Sequence, residues 1–433
     1  MFVSYRNKRS VFEVSKLYKN CPNRNILCID MKCFYASCIA LLEGLDVMKD
    51  PIAVIGNFNQ PGSVVLAASP PMKERFRIKT GNRRYEIPKH PDIKLFEPKM
   101  SFFLEMSMAI TRLIAQFVPR EAIHVYSVDE SFIDLTGTER LWGTPEETAK
   151  SIQQAIYDQF RIPSAIGMGP NMLMAKLALD LDAKKTGFTK WTYEDIPVKL
   201  WPIKPLSKMW GIGSRMESNL NDLGIFSVYD LAHADLAMLE KRFGILGNQL
   251  YHHAWGIDLS TFGEPIVKGQ ISFGKGQMLM RDYHTRTEIL VVLLEMCEDV
   301  AKRARLAGYV GRTISLGLSY SHSAMTKSFH RSKTIVDPTN ETMQIYAVCK
   351  ELLDIHFAGE PARQLSVRIS NLEPECSIQL DLFDTRKEQR QILGHTMDSI
   401  RERFGATSLL RAVSFTKSGT AIQRNRLVGG HIG

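Results

Sequence analysis

Residues 126–136, YSVDESFIDLT, set an aspartate beside a glutamate inside an otherwise apolar run. Successive side chains of a strand point to opposite faces, so Asp129 and Glu130 can share a site only if the chain bends there. The flanks, IHVYSV before and SFIDL after, are short β-branched and aromatic runs of the kind that pair as a hairpin. Asp-Glu is a poor tight-turn pair, because favoured hairpin turns place Gly or Asn at positive φ. A turn built against that preference points to a site, and two clustered acids point to a metal. Taken alone, the pair also reads as a polar hairpin tip in solvent.

Working outward, NILCID (25–30) reads as a short buried strand and FYASCIALLE (34–43) as a helix directly after it. Asp30 therefore stands where a strand ends and a helix begins, a usual position for site residues in α/β folds. Residues 51 to about 100 are rich in Pro, Gly and basic residues and read as an insertion of two strands, a short helix and loops. Helical spacing returns with Phe102, Met106, Ile110, Leu113 and Phe117 as a core stripe. The hairpin follows, then a helix opened by Thr144-Pro145-Glu146-Glu147, then the strand PSAIGM. This order predicts a split-βαβ, ferredoxin-like layer in which the strand of Asp30 lies beside the hairpin, so that three carboxylates converge.

The 433 residues suffice for two to four domains, and 44% hydrophobic with 23% charged residues is ordinary for a globular protein. No apolar run is long enough to span a membrane, and the first residues lack an apolar core of signal-peptide length. Seven cysteines without framework or zinc-knuckle spacing read as free thiols in a reducing cytoplasm. The net charge of +9 is compatible with a polyanion partner. Residues 300–336 hold Lys302, Arg303, Arg305, Arg312, Lys327, Arg331 and Lys333 and no acid, a candidate phosphate-tracking surface whose plain alternative is a solvated cationic face.

WGIGSRMESNLNDLGIFSVYDLA (210–232) carries a Gly-Ile-Gly turn, through which backbone N–H groups can approach a phosphate with no Cβ in the way. It reads as a helix-hairpin-helix, with a weaker second copy at 243–258, where His252 and His253 lack the partners of a metal site. After a linker near 260–270 comes a further α/β unit of two helices on a four-stranded sheet.

IDMKCFYAS, YSVDESFIDLTG, PNMLMAKLALDLDAKK and WGIGSRMESNLNDLGI, in this order, resemble the Y-family, or translesion, DNA polymerases. The resemblance runs from about residue 25 to about 385 and is greatest to the polymerase V/IV-like members, in particular the polymerase V-like branch of Gram-positive bacteria and their mobile elements. It implies an α+β, right-handed polymerase with a ferredoxin-like palm (1–56 and 99–198), small fingers (57–98), a helix-hairpin-helix thumb (199–262) and an α/β little finger (270–375). It implies that Asp30, Asp129 and Glu130, with the Met31 carbonyl, hold two Mg²⁺ ions. Hard oxygen ligands suit that ion, and two-metal transfer onto a primer hydroxyl asks for it. Tyr35 matches the steric-gate aromatic that excludes a 2′-hydroxyl, with Phe34 beside it at the nucleotide and as the residue better suited to the core. Lys184 matches the lysine that reaches the triphosphate, with Lys185 as a register alternative, and Lys73 and Arg75 are the fingers candidates. Gly211, Gly213 and the cations of 300–336 would meet DNA.

Lys32 departs from the family pattern two places after Asp30, and Pro70 stands where a tyrosine touches phosphate. QLDLF, Gln379-Leu380-Asp381-Leu382-Phe383, resembles the pentapeptide that docks bacterial polymerases on the sliding clamp, its plain alternative being an edge strand. ILGHTMDSIRERFG then reads as an amphipathic helix, and the final basic tail is expected to be mobile. The implied partners are primer-template DNA, dNTPs and the clamp; whether an activating recombinase-type partner is needed stays open. The expected setting is the cytoplasm, at the nucleoid. The expected function is low-fidelity translesion synthesis. Its rivals are a palm-fold nucleotide cyclase, which would not need the thumb turn, and an inactive DNA- and clamp-binding scaffold, which would be free to lose an acid.

Overall fold

The computed structural model describes residues 18–58, 62–263, 272–375 and 387–432. The chain divides into two compact units, residues 1–264 with 431–433, and residues 265–430. No helix among the described residues is long and apolar enough to cross a membrane.

In the first unit, β1 (Ile26–Met31) runs into α1 (Phe34–Glu43). Next come β2 (Ile52–Ile55), β3 (Val65–Ala68), α2 (Pro70–Phe76), β4 (Lys94–Phe96) and α3 (Met100–Ile114). β2 is the central strand of a separate sheet ordered β3-β2-β4, with its own small core of Ala53, Val65, Ala68, Met72 and Ile78. That sheet therefore begins at Ile52, ahead of the expected fingers boundary at 57. On α3 the buried residues are Met100, Phe103, Ile110, Leu113 and Ile114, with Phe102 and Met106 half-buried at the flank of the expected stripe.

β5 (Ile123–Val125), β6 (Glu130–Asp134), α4 (Pro145–Phe160), β7 (Ser164–Gly169), α5 (Met172–Ala178), a π-helical turn (Leu179–Ala183) and β8 (Phe188–Lys190) complete the layer. The large sheet is ordered β5-β6-β1-β7-β8, with β1 antiparallel to both β6 and β7. The hairpin thus lies beside the strand of Asp30, as the split-βαβ reading requires. Ile26, Leu27, Cys28 and Ile29 are fully buried, because helices cover both faces and the strand has no solvent side to mark with alternation. α4 opens with the expected capping box, Thr144 Oγ1 accepting from Glu147 N–H and Glu147 Oε2 from Thr144 N–H.

Two glycines of β7 decide how close α5 sits. A Cβ on Gly167 would overlap the Ala175 carbonyl oxygen and the Leu179 nitrogen, and one on Gly169 would overlap Ala175 N. With no side chain at either position, the helix backbone lies directly on the strand. Asn171, fully buried, caps that helix by accepting from Met174 N–H and ties it to the thumb by donating to the Gly256 carbonyl. The region expected to form the thumb contains α6 (Ser214–Asn221), α7 (Val228–Ala232), α8 (Leu236–Phe243) and α9 (Ile245–Ala254) around Leu220, Val228, Leu231, Leu239 and Leu250.

The second unit contains β9 (Ser272–Tyr283), α10 (Arg286–Leu306), β10 (Tyr309–Tyr320), β11 (Phe329–Thr339), α11 (Thr342–His356) and β12 (Ala362–Pro374). Its antiparallel sheet is ordered β11-β10-β12-β9. Both helices pack on one face, over Leu279, Ile314, Leu316, Leu318, Leu365, Val367 and Ile369.

The C-terminal segment corrects the expectation of a mobile tail. α12 (Lys387–Phe404) and the residues after it fold onto this unit. Asp398 pairs with Arg305 at 2.7 and 3.2 Å, Arg401 and Arg411 both reach Glu298, and Thr420 donates to Glu295 from its N–H and its hydroxyl. Gln277 of β9 bridges Thr420 and Arg424. The attachment is mainly polar, through pairs whose partners on β9 and α10 lie far back in the sequence.

Candidate active site

β1 carries Asp30 to the edge of the hairpin, where it pairs in register with Glu130, the first residue of β6. Asp129 lies outside the strand, in the turn, and so escapes the alternation that would have turned it away from Glu130. Ser127 builds that turn. Its hydroxyl accepts from Glu130 N–H at 3.0 Å and donates to Asp129 Oδ1 at 2.7 Å, while Tyr126 and Ser127 N–H both donate to the Glu130 carbonyl. A serine-centred turn needs no glycine at positive φ, which explains how Asp-Glu occupies a hairpin end. Asp129 is joined to β1 as well, its carbonyl accepting from Met31 N–H at 3.0 Å.

Two lysines face these acids. Lys184 Nζ lies 2.7 Å from Asp30, 2.9 Å from Asp180 and 3.8 Å from Glu130. Lys176 Nζ lies 2.6 Å from Glu130 Oε1 and 3.3 Å from Asp180. Burial pushes the Asp30 carboxyl above its usual range; Lys184 pulls it down, and the charges of Glu130 and Asp129 push it up again. Burial would lower the Lys176 ammonium, but the Glu130 hydrogen bond and the Asp180 charge hold it above its ordinary value. Lys184 is raised in the same way by Asp30 and Asp180, against its own desolvation.

The donor set fits a hard divalent cation: carboxylate oxygens from two adjacent strands, mutually repelling in a partly buried site. Among the described residues no three His, Cys, Asp or Glu side chains stand close enough together to enclose an ion as they are placed. The reason is visible in the pairings above, since each of the three acids is turned to a lysine or to Ser127.

Tyr35, on the first turn of α1, is half-buried and stacks on Phe103 with ring centroids 4.6 Å apart. Burial raises its phenol, and the Asp129 charge adds to the shift. Phe34 is 2% exposed and belongs to the core, so the expectation that its side chain meets a nucleotide is corrected. Lys73 Nζ lies 3.1 Å from Cys33 Sγ, two residues beyond Met31. Arg75 instead pairs with Asp92 at 2.7 Å, so the structure sets Lys73 beside the turn between β1 and α1 and leaves Arg75 on the 90–92 loop.

Gly211 needs its positive φ of 93° and Gly213 caps α6; both are exposed, and no atom lies within 4 Å of a Cβ built on either. The residue before them, Trp210, packs against Tyr126 and Phe132 with centroids 5.9 and 6.1 Å away. The thumb turn is thereby seated on the acid-bearing hairpin, a link the sequence did not disclose.

In the second unit the seven cations of 300–336 do not form one surface. Arg305 is buried on Asp398 and the Asn340 carbonyl, which corrects its expected DNA contact. Arg331 and Lys333 are in register with the inward-facing Leu316 and Ile314, so both point to the helix side, where Lys333 pairs with Glu351. Arg303 is held by Asp299 and the Gly274 carbonyl, and Arg312 by Glu373 and the Val336 carbonyl. Lys327 is exposed in a loop and Lys302 half-buried on α10. The face of the sheet opposite the helices carries Gly274, Gly276 and Met278 on β9, Ser315, Gly317 and Ser319 on β10, His330 and Ser332 on β11, and Gln364, Ser366, Arg368 and Ser370 on β12. It is small and hydroxyl-rich, with Arg368 as its one charge among these positions. Residues 379–383 lie outside the described residues.

The sequence pattern of the impB/mucB/samB family matches residues 29–180, that of its C-terminal domain residues 270–382, and that of its HHH motif residues 193–225. UvrX of Bacillus subtilis strain 168, described as a UV-damage repair protein, is 52% identical over 416 residues, covering 96% of this chain and 99% of that one. DNA polymerase IV 2 of the same strain is 36% identical over 409 residues, covering 94% and 98%. DNA polymerase IV 2 of Halalkalibacterium halodurans is also 36% identical, with the same coverage. With the acids paired across the expected strands and relatives matched along nearly their whole length, the chain belongs to the impB/mucB/samB family, the Y family of translesion DNA polymerases.

Proposed function

We propose that this divalent-metal-dependent DNA polymerase performs template-directed nucleotidyl transfer at the junction of β1 and β6, with Asp30, Asp129, Glu130 and the Met31 carbonyl as ligands of two Mg²⁺ ions. The observation that carries the reading is the cross-strand pairing of Asp30 with Glu130, with Asp129 held beside them by Ser127. When bound, the ions lower the pKa of the primer 3′-hydroxyl and neutralise charge on the triphosphate. Lys184, already within reach of the acids, serves the triphosphate, and Lys73 serves it from the fingers side. Removing charge from the site should stop insertion while leaving DNA binding intact, which single-nucleotide insertion and anisotropy on an Asp30→Asn variant measure.

Tyr35, on the first turn after the strand of Asp30, stands as the steric gate, its ring braced by Phe103. Tyr35→Ala should raise incorporation of ribonucleotides relative to deoxyribonucleotides by about 10–100-fold, the scale on which pocket sterics discriminate. Single-nucleotide insertion with rNTP and dNTP measures it, and an unchanged ratio would remove Tyr35 from that role.

Primer-template DNA is gripped by the exposed Gly211–Gly213 backbone and by the hydroxyl-rich face of the second unit. Small side chains let the sheet approach a phosphate backbone and hydrogen-bond it without reading sequence. Arg368→Ala should weaken primer-template binding at every sequence and reduce the salt dependence by about one counterion. Lys333→Ala, whose ammonium is already paired with Glu351, should change neither. Anisotropy titrations at several salt concentrations decide this; equal losses in the two variants would return the DNA contact to the basic run. Gln379–Phe383 supports docking on the bacterial sliding clamp on sequence grounds, which would keep the enzyme at the nucleoid.

A further inference from the structure

α5 is an apolar helix whose seven residues are all buried, and one of them is a lysine. Lys176 is 5% exposed. Burying an ammonium is costly unless it is paired and hydrogen-bonded, and nothing in the packing of Met172, Leu173, Met174 and Leu177 calls for a charge there. Its nearest partner is a candidate metal ligand, Glu130 Oε1 at 2.6 Å. Asp180, one turn on, holds the same ammonium at 3.3 Å and also holds Lys184 at 2.9 Å. Ahead of Lys184 the helix widens into the π turn Leu179–Ala183, which carries Asp180. Such a turn takes up an extra residue, a feature frequent at functional sites, and here Lys176, Asp180 and Lys184 all face the acids. The helix reaches them because Gly167 and Gly169 leave its backbone in contact with β7.

We propose that Lys176 is a positioning residue for nucleotidyl transfer: its buried ammonium fixes one oxygen of Glu130, leaves the other free, and is itself held by Asp180. The proposal rests on the reading of Glu130 as an acid of the reaction. Lys176 is distinct from Lys184, which is half-exposed and belongs to the substrate side. Orientation of a ligating carboxylate by a partner behind it is worth 10–100-fold in metal affinity or activity in comparable sites.

The test compares the full-length wild type with Lys176→Met, Lys176→Arg, Asp180→Asn and Glu130→Gln. Readouts are single-nucleotide insertion with Mg²⁺, Mn²⁺ binding followed by electron paramagnetic resonance, and thermal unfolding. Lys176→Met should lower kcat by about 10–100-fold and weaken Mn²⁺ binding on the same scale, with KM for the incoming nucleotide near its wild-type value. Lys176→Arg, which restores the cation, should recover most of both. Wild-type kcat and Mn²⁺ affinity in a folded Lys176→Met would overturn the proposal. Should that variant fail to fold, Asp180→Asn, at a partly exposed position, decides the matter. It loosens Lys176 from its outer side, and the expected result is a smaller loss in the same two readouts, whereas wild-type values would again overturn the proposal. An active Glu130→Gln would sink the reading of Glu130 itself; an inactive one beside an unimpaired Lys176→Met sinks the positioning role alone.

Discussion

Asp30→Asn is expected to reduce nucleotide insertion by about 10³-fold while primer-template binding stays at the wild-type level. The substitution keeps the shape of the side chain at the end of β1 and removes only its charge. Asp30 is the sole acid that β1 contributes, and its in-register partner Glu130 is already engaged by Lys176. The neutral amide would still accept from Lys184 but would offer a cation one weak oxygen in place of a charged carboxylate. Rapid-quench insertion measures the loss and fluorescence anisotropy measures binding. Loss of both together would mean that Asp30 maintains the palm rather than the chemistry.

Asp398→Ala is expected to destabilise the second unit by about 3–5 kcal/mol, because it strands a buried guanidinium. Arg305 and Asp398 are only 3% and 4% exposed, and their two hydrogen bonds join α10 to α12. Arg305 has one further partner, the Asn340 carbonyl, which cannot neutralise it. Denaturant unfolding reports the change. The exposed Arg286–Asp354 pair supplies the contrast, since solvent screens it and Asp354→Ala should leave stability close to that of the wild type. Equal effects in the two variants would show that the C-terminal segment does not support the unit that precedes it.

The acid site was legible because two patterns conflicted. Strand alternation forbids neighbouring acids from sharing a face, and the apolar flanks demanded a hairpin; the turn resolves both, with Asp129 outside the strand and Glu130 opening it. Ser127 could have been read as the turn's hydrogen-bonding residue, since a serine three places before an acid is a local signal. Lys176 was hidden because its helix reads as plain core, and only the contact across to β6 gives its charge a purpose. The same limit explains the basic stretch. Counting charges along 300–336 could not show that β11 turns Arg331 and Lys333 to the helix side, or that Glu351, Glu373 and Asp398 come from distant sequence to meet three of them. α12 was seen as a helix but not as part of the unit, because its anchors are buried ion pairs whose partners no periodicity reveals.

The most direct measurement is primer extension on undamaged and abasic templates with Mg²⁺ and all four dNTPs, comparing the wild type with the double variant Asp129→Ala, Glu130→Ala. Extension across both templates by the wild type, abolished in a double variant that still binds DNA, is the expected result. Extension that survives the loss of both acids would contradict the assignment of the β1–β6 junction as the polymerase centre.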